Sequence, residues 1–230
     1  IPEIAKELGV NYIVEGALQR YGNSLRLSVN LFKAHKKELK LWGKTYEQKI
    51  NDATDIFSLQ SQIAKSIAQE LEAVITPLEK QTIEKIPTMN LDAYEAVLKG
   101  NYFLNKWTRN DLDTALKYFE RAKEIDPKYA PAYGGISAVW GYRQQAGYVS
   151  PAEARPKGKE ALMKEVELDS TISSAAFAGW YTWTMWDWEK AEKEFRRAIE
   201  LNPNDAGSRA GYSHLLIILG RNEEAIKQIE

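Results

Sequence analysis

The spacing Ala115, Phe119, Ala122, Pro127 recurs as Ala191, Phe195, Ala198, Pro203, with intervals of four, three and five residues both times. Intervals of three and four put the two alanines and the phenylalanine on one stripe of a helix, and a proline five residues further on cannot continue it. The alanines admit a close neighbouring helix, and the aromatic fills the space between helix pairs. Ala225 follows Ala191 by 34 residues, so the repeating unit is a pair of antiparallel helices, and stacked pairs bury a core that one pair alone cannot. A chain built this way is mainly α in its second half, and no strand is expected after residue 90.

The segments ALKYFERAKEIDP and AEKEFRRAIELNP resemble the tetratricopeptide-repeat family, over residues 88–230. The resemblance implies a helical solenoid of three repeats and a partial fourth. The first repeat pairs a helix A over Asn90 to Trp107 with a helix B over Asp111 to Ile125. The second pairs Ala130 to Ala146 with a helix B ending near Leu168. The third pairs Ser173 to Trp186 with Trp188 to Leu201, and the fourth pairs Ala206 to Leu219 with a helix that runs to Glu230. In the second repeat the closing Asp-Pro reads Asp169-Ser170, and the two small-residue positions of helix B hold Gly158 and Glu165, so its packing departs from the pattern. Ser150, Pro151 and Glu153 form a good start for that helix. Pro156, beyond the first turn, predicts a kink or a delayed start. An array that stops at Glu230, before its own closing proline, predicts further chain.

Residues 1–86 read differently. Leu25, Leu27, Val29 and Leu31 alternate with polar residues, the period of a half-buried strand. A β-prone run from Asn11 to Arg20 precedes it across Gly22-Asn23, a pair that tolerates the positive φ of a tight hairpin. A third run, Leu39 to Lys49, follows the polar turn His35-Lys36-Lys37-Glu38, which completes a three-stranded antiparallel meander. Ile56, Leu59, Ile63, Ile67, Leu71 and Val74 then mark one stripe of a long helix able to cover the sheet. From IAKELGVNYIVEGALQRYGNSLRLSVNLF to LWGKTYEQKINDATDIFSLQSQIAKSIAQEL, this part resembles the second half of the TolB-amino-terminal-like domain. That domain stands between a signalling output module, such as an adenylate cyclase or a winged-helix regulator, and tetratricopeptide repeats in bacterial proteins. The expectation is a truncated α/β unit over 1–86 and the repeat array over 88–230.

Charge and composition then exclude function classes. Lysine plus arginine (31) balances aspartate plus glutamate (32), which removes the positive field on which nonspecific nucleic-acid binding relies. Without cysteine there is no disulfide, thiolate nucleophile or cysteine metal site. No apolar run reaches membrane-spanning length, so both the cytoplasm and the periplasmic part of a membrane-anchored parent remain open. His35 and His214 lie in no pattern of carboxylates that suits a metal or a general base. Gly134-Gly135 sits inside a helix rather than in a phosphate loop. No enzyme activity, cofactor or metal is expected of this stretch. The expected partner is a protein or peptide, and the expected role is a binding scaffold or sensory module of a larger bacterial signalling protein. A small-molecule or glycan receptor, built from the α/β unit and the tryptophan-rich repeat, is the alternative.

The tetratricopeptide resemblance implies that the helices A line a concave groove. Carried onto this sequence, its groove positions are Tyr94, Val97, Asn101 and Asn105 in the first repeat, Tyr142 in the second, and Trp180, Trp183 and His214 in the third and fourth. The set lacks the basic residues with which family members clamp a terminal carboxylate. In the run WYTWTMWDW the indoles of Trp180, Trp183, Trp186 and Trp188 fit packing between helices, while Trp180 and Trp183, three apart, share a helix face. The helices B carry charges such as Lys193, Glu194 and Arg197, which point in divided directions and are expected to form no converging pocket.

Overall fold

The structure, a computed structural model, describes residues 2–34 and 38–229, so the turn at 35–37, with His35, lies outside the described residues. The chain forms two compact units, residues 1–89 and 90–230.

In the first unit a short helix α1 (Pro2–Leu8) leads into β1 (Tyr12–Tyr21), β2 (Ser24–Ala34) and β3 (Glu38–Lys49), antiparallel in the order β1-β2-β3. Gly22, at φ 58°, makes the two-residue hairpin that sets Tyr21 opposite Ser24. Alternation decides the buried face. Val29 and Tyr46, neighbours across β2 and β3, pack on Leu59 of α2 (Ala53–Glu70), with Ile63 and Ile67 beside them. The predicted stripe overran the helix. Glu72 takes the left-handed conformation, and bonds from Glu72 N–H to the Gln69 carbonyl (3.1 Å) and Ala73 N–H to the Ala68 carbonyl (2.9 Å) close α2 after Glu70, a Schellman end without its usual glycine. Val74 lies beyond it, 89% exposed. A further helix, α3 (Pro77–Ile83), starts on a capping box between Thr76 and Glu79.

Among its described residues the second unit has eight α-helices that pack in four successive pairs: α4 (Leu91–Leu104) with α5 (Arg109–Ile125), α6 (Ala130–Gln145) with α7 (Pro151–Leu168), α8 (Ser173–Trp180) with α9 (Trp188–Leu201), and α10 (Ala206–Ile218) with α11 (Asn222–Ile229). These are the four helix pairs that the repeat spacing predicts, and among the described residues no strand follows residue 90. Local chemistry starts five of these helices, with Asn90, Thr108, Ser150, Asp187 and Asp205 accepting bonds from first-turn N–H groups. The repeated alanines and phenylalanines are buried. Phe119 occupies the room left by glycines on two neighbouring helices: a Cβ on Gly100 would stand 2.6 Å from its ring, and one on Gly135 would overlap it.

Two helices depart from expectation. Pro156 does not delay or interrupt α7, which is continuous from Pro151 to Leu168. Pro156 and Ala152, whose carbonyl loses its N–H partner, are both exposed, so water satisfies that carbonyl and the buried face is untouched. Helix A of the third repeat is α-helical only to Trp180; Tyr181–Met185 form a π-helix. Trp186, at φ 55°, ends it, with the Asp187 N–H bonded to the Tyr181 carbonyl at 3.0 Å.

Candidate partner-binding cleft

Helices α6 and α8, the helices A of the second and third repeats, stand apart over α7 and leave a cleft of about 290 Å³. Gly134, Ser137, Ala138, Gly141 and Tyr142 of α6 line one wall, and Ala175, Ala176, Gly179 and Trp180 line the other. Leu162 and Glu165 of α7 form the floor, and Trp183 and Thr184 of the π-helix close one end. Small side chains keep the walls low, and the π-helix sets the mouth. Gln144, itself buried, donates from Nε2 to the Thr184 carbonyl at 2.7 Å, which pins the π-helix to α6. Single-turn π segments inside helices are frequent at functional sites.

Of the residues the sequence nominates, three line this cleft: Tyr142, Trp180 and Trp183. His214 is brought alongside, its ring edge-on to the Trp183 indole at 4.7 Å. Trp183 is half-buried and His214 exposed. Trp180, by contrast, is buried, its ring against Gly158 of α7, where a Cβ would stand 2.7 Å away. It shapes the wall rather than offering a face. Val97 is also buried, in the core with Phe119 and Ile136, because the i, i+3, i+4 stripe of α4 turns it inward. Tyr94, Asn101 and Asn105 lie on α4 or at its end and do not reach the cleft. Tyr142 stacks on Trp107 at 4.2 Å, and burial pushes its hydroxyl above the ordinary tyrosine range.

Several site residues escaped the sequence reading. Trp107 carried no repeat signal, since its left-handed conformation (φ 60°) at the end of α4 is what turns it towards Tyr142. Glu165 was visible only as a break in the small-residue pattern. It lies over Gly134, where a Cβ would collide with its carboxylate. Burial, with a smaller contribution from Asp169, pushes the Glu165 carboxyl up to about 7.

The helix-B side is not featureless. A cavity of about 710 Å³ opens between α5 and α7 over Tyr133, Ile136 and Trp140 of α6, rimmed by charged residues including Lys123, Lys157, Glu160 and Lys164. This overturns the expectation that helices B form no converging pocket: the charged side chains splay while the α6 aromatics between them supply a floor. Arg143 (4.6 Å) and Lys157 (4.1 Å) both lie over the Trp140 ring, and its rim charges are paired along the helices, Glu120 with Lys123 and Lys164 with Glu167.

Among the described residues no group of three His, Asp or Glu side chains is arranged to hold a metal, and no helix is long and apolar enough to cross a membrane.

A tetratricopeptide-repeat family model matches residues 106–129, which span α5. "Putative adenylate cyclase 3" of Rhizobium meliloti (strain 1021) is 26% identical over 143 residues, 60% of this chain and 23% of that protein. The transcriptional regulator HilA of Salmonella typhimurium is 23% identical over 232 aligned positions, 100% of this chain and 40% of that protein. The chain thus spans less than half the length of either relative. A solved structure of a MamA mutant aligns with a TM-score of 0.35 at 14% identity, covering 76% of this chain and 91% of that one.

Proposed function

We propose that this chain, which carries tetratricopeptide repeats in residues 90–230, is a non-catalytic protein- or peptide-binding module of a larger bacterial signalling protein. The observation that supports this reading is the helix-A cleft. It joins a half-buried indole, a tyrosine and a carboxylate in one concavity, and apolar contact combined with a few placed polar groups is what peptide recognition uses. Its volume of about 290 Å³ suits one or two side chains rather than a folded surface. The two relatives named for different outputs, an adenylate cyclase and a transcriptional regulator, each extend well beyond the stretch they share with this chain, which fits a binding module serving different outputs.

A displayed random-peptide library panned against the whole chain tests the reading. Peptides recovered above a scrambled control are measured against Trp183→Ala, in the cleft, and Met163→Ala, which lines the helix-B cavity. The expected result is a loss of roughly tenfold or more in affinity for Trp183→Ala, the scale of an aromatic anchor, and little change for Met163→Ala. The reverse order moves the site to the helix-B side, and recovery of no peptide refutes the binding role.

A further inference from the structure

In α5 and α9 the two positions of helix B seven residues apart, Ala115 with Ala122 and Ala191 with Ala198, are buried alanines. In α7 the same positions hold Gly158 and Glu165. Each departure is matched across an interface. The room at Gly158 is taken by the Trp180 ring, and the room for the Glu165 carboxylate is made by Gly134, a glycine in the interior of α6. A helix-interior glycine costs stability relative to alanine, and so does a carboxylate drawn out of water without a partner. An alanine at 165 would avoid the carboxylate's cost, as Ala122 and Ala198 do in the neighbouring repeats.

Glu165 lies at the floor of the cleft. Among the described residues no lysine, arginine or histidine pairs with it and no hydrogen bond reaches its carboxylate. The charge that acts on it is a second carboxylate, Asp169. The cleft is therefore electrically incomplete in a definite sense: it presents a carboxyl group and supplies no cation to hold it in its charged form. The walls restrict what can complete it. A guanidinium brings five donors in a plane, most of which would face glycine and alanine, whereas an ammonium brings three on a slim unbranched stem. Glu165 and the Ser137 hydroxyl, in the same cleft, are acceptors for those three, and Trp183 at the mouth offers its ring to the methylenes.

Resting on the peptide-binding reading above, we propose that this cleft receives a lysine side chain of a partner protein, with its ammonium on Glu165 and its stem along the small-residue walls. The carboxyl then has no counter-ion in the free chain because its counter-ion belongs to the partner.

The test uses short acetylated peptides of one sequence with lysine, norleucine or arginine at a single position, and free n-butylammonium, titrated into the whole chain. The lysine peptide should bind roughly tenfold or more tighter than the norleucine peptide, the range of a charge-assisted hydrogen bond. That ratio should fall to about one in Glu165→Gln and recover in part in Glu165→Asp, with circular dichroism melts showing both variants folded. A preference for lysine that survives Glu165→Gln, or its absence from the unaltered chain, overturns the proposal while peptide binding stands. Tighter binding of the arginine peptide overturns the choice of lysine, and n-butylammonium binding as tightly as the peptide overturns a protein partner. If no peptide binds at all, both this proposal and the peptide-binding reading fail.

Discussion

Two glutamates, seen at the level of single side chains, pull the stability of this chain in opposite directions with pH. Burial pushes the Glu165 carboxyl from its ordinary 4.5 up to about 7. Between those values the folded chain holds a proton that the unfolded chain has released, so stability falls as pH rises through that window. Glu192 is the reverse case. Burial works against its charge, but hydrogen bonds from Arg196 (2.7 Å), Tyr212 (2.8 Å) and Arg221 (2.9 Å) outweigh it and hold the carboxyl at about 2. The stability it contributes is present above its ordinary 4.5 and is lost as pH falls towards 2. Urea midpoints measured across pH should therefore show Glu165→Gln flattening the decline between pH 4.5 and 7, and Glu192→Gln weakening the chain above 4.5 but flattening the acid limb. An unchanged slope in Glu165→Gln would mean that the carboxylate is solvated. Neither role was legible in the sequence, because a charge on a helix reads as a solvated face until its neighbours across the interface are known. Glu165 left a trace only by standing where its repeat called for a small residue.

Helices were legible where their ends are written in local chemistry. Asn90, Thr108, Ser150, Asp187 and Asp205 cap helices whose starts the sequence places to within a few residues. The end of α2, set by backbone conformation, was not, since Glu72 takes a left-handed φ of 51° where no glycine announces it, whereas the third helix A closes at Trp186 (φ 55°), where the sequence placed its end. The α2 stripe was consequently read too far, and the π-helix was read as α. In α7 the reverse error arises, since a proline that predicts disruption is tolerated. Ser150 caps the helix, Ala154, Ala161 and Leu162 bury the opposite face, and Pro156 removes one hydrogen bond on the wet side only. Pro156→Ala should then restore that bond without moving the helix, and raise stability by about 1–3 kcal/mol, somewhat under the full cost of a helix-interior proline. A fall in stability would show instead that α7 needs the fixed φ of the proline.

Across the whole repeat unit, the hydrophobic core is not continuous. One cluster gathers Phe119 with residues of α4 to α7, and a second gathers Phe195 with residues of α8 to α11. Between them buried polar groups join the apolar Leu162 and Trp180: Ser137 and Gln144 from α6, and Ser174, Thr182 and Thr184 from the stretch they face. The Trp180 ring still crosses to Gly158 of α7, and beside it the seam is held by a side-chain to backbone bond, Gln144 to the Thr184 carbonyl at 2.7 Å. Repeat arrays transmit stability only through nearest-neighbour interfaces, so a weak interface divides the array into units that open separately. The candidate cleft lies at this division, where the third repeat has room to shift against the second. Phe195→Ala removes a ring for which Gly211 leaves the room, since a Cβ there would stand 2.7 Å from it, and should cost about 3–5 kcal/mol within its own cluster. Hydrogen exchange should then show protection lost over α9 and α10 but retained over α4 to α6, and Phe119→Ala should give the opposite map. Equal loss in both clusters from either substitution would show the polar seam to be as cooperative as the cores it separates, and the cleft would then be a rigid groove rather than a joint between two separately stable halves.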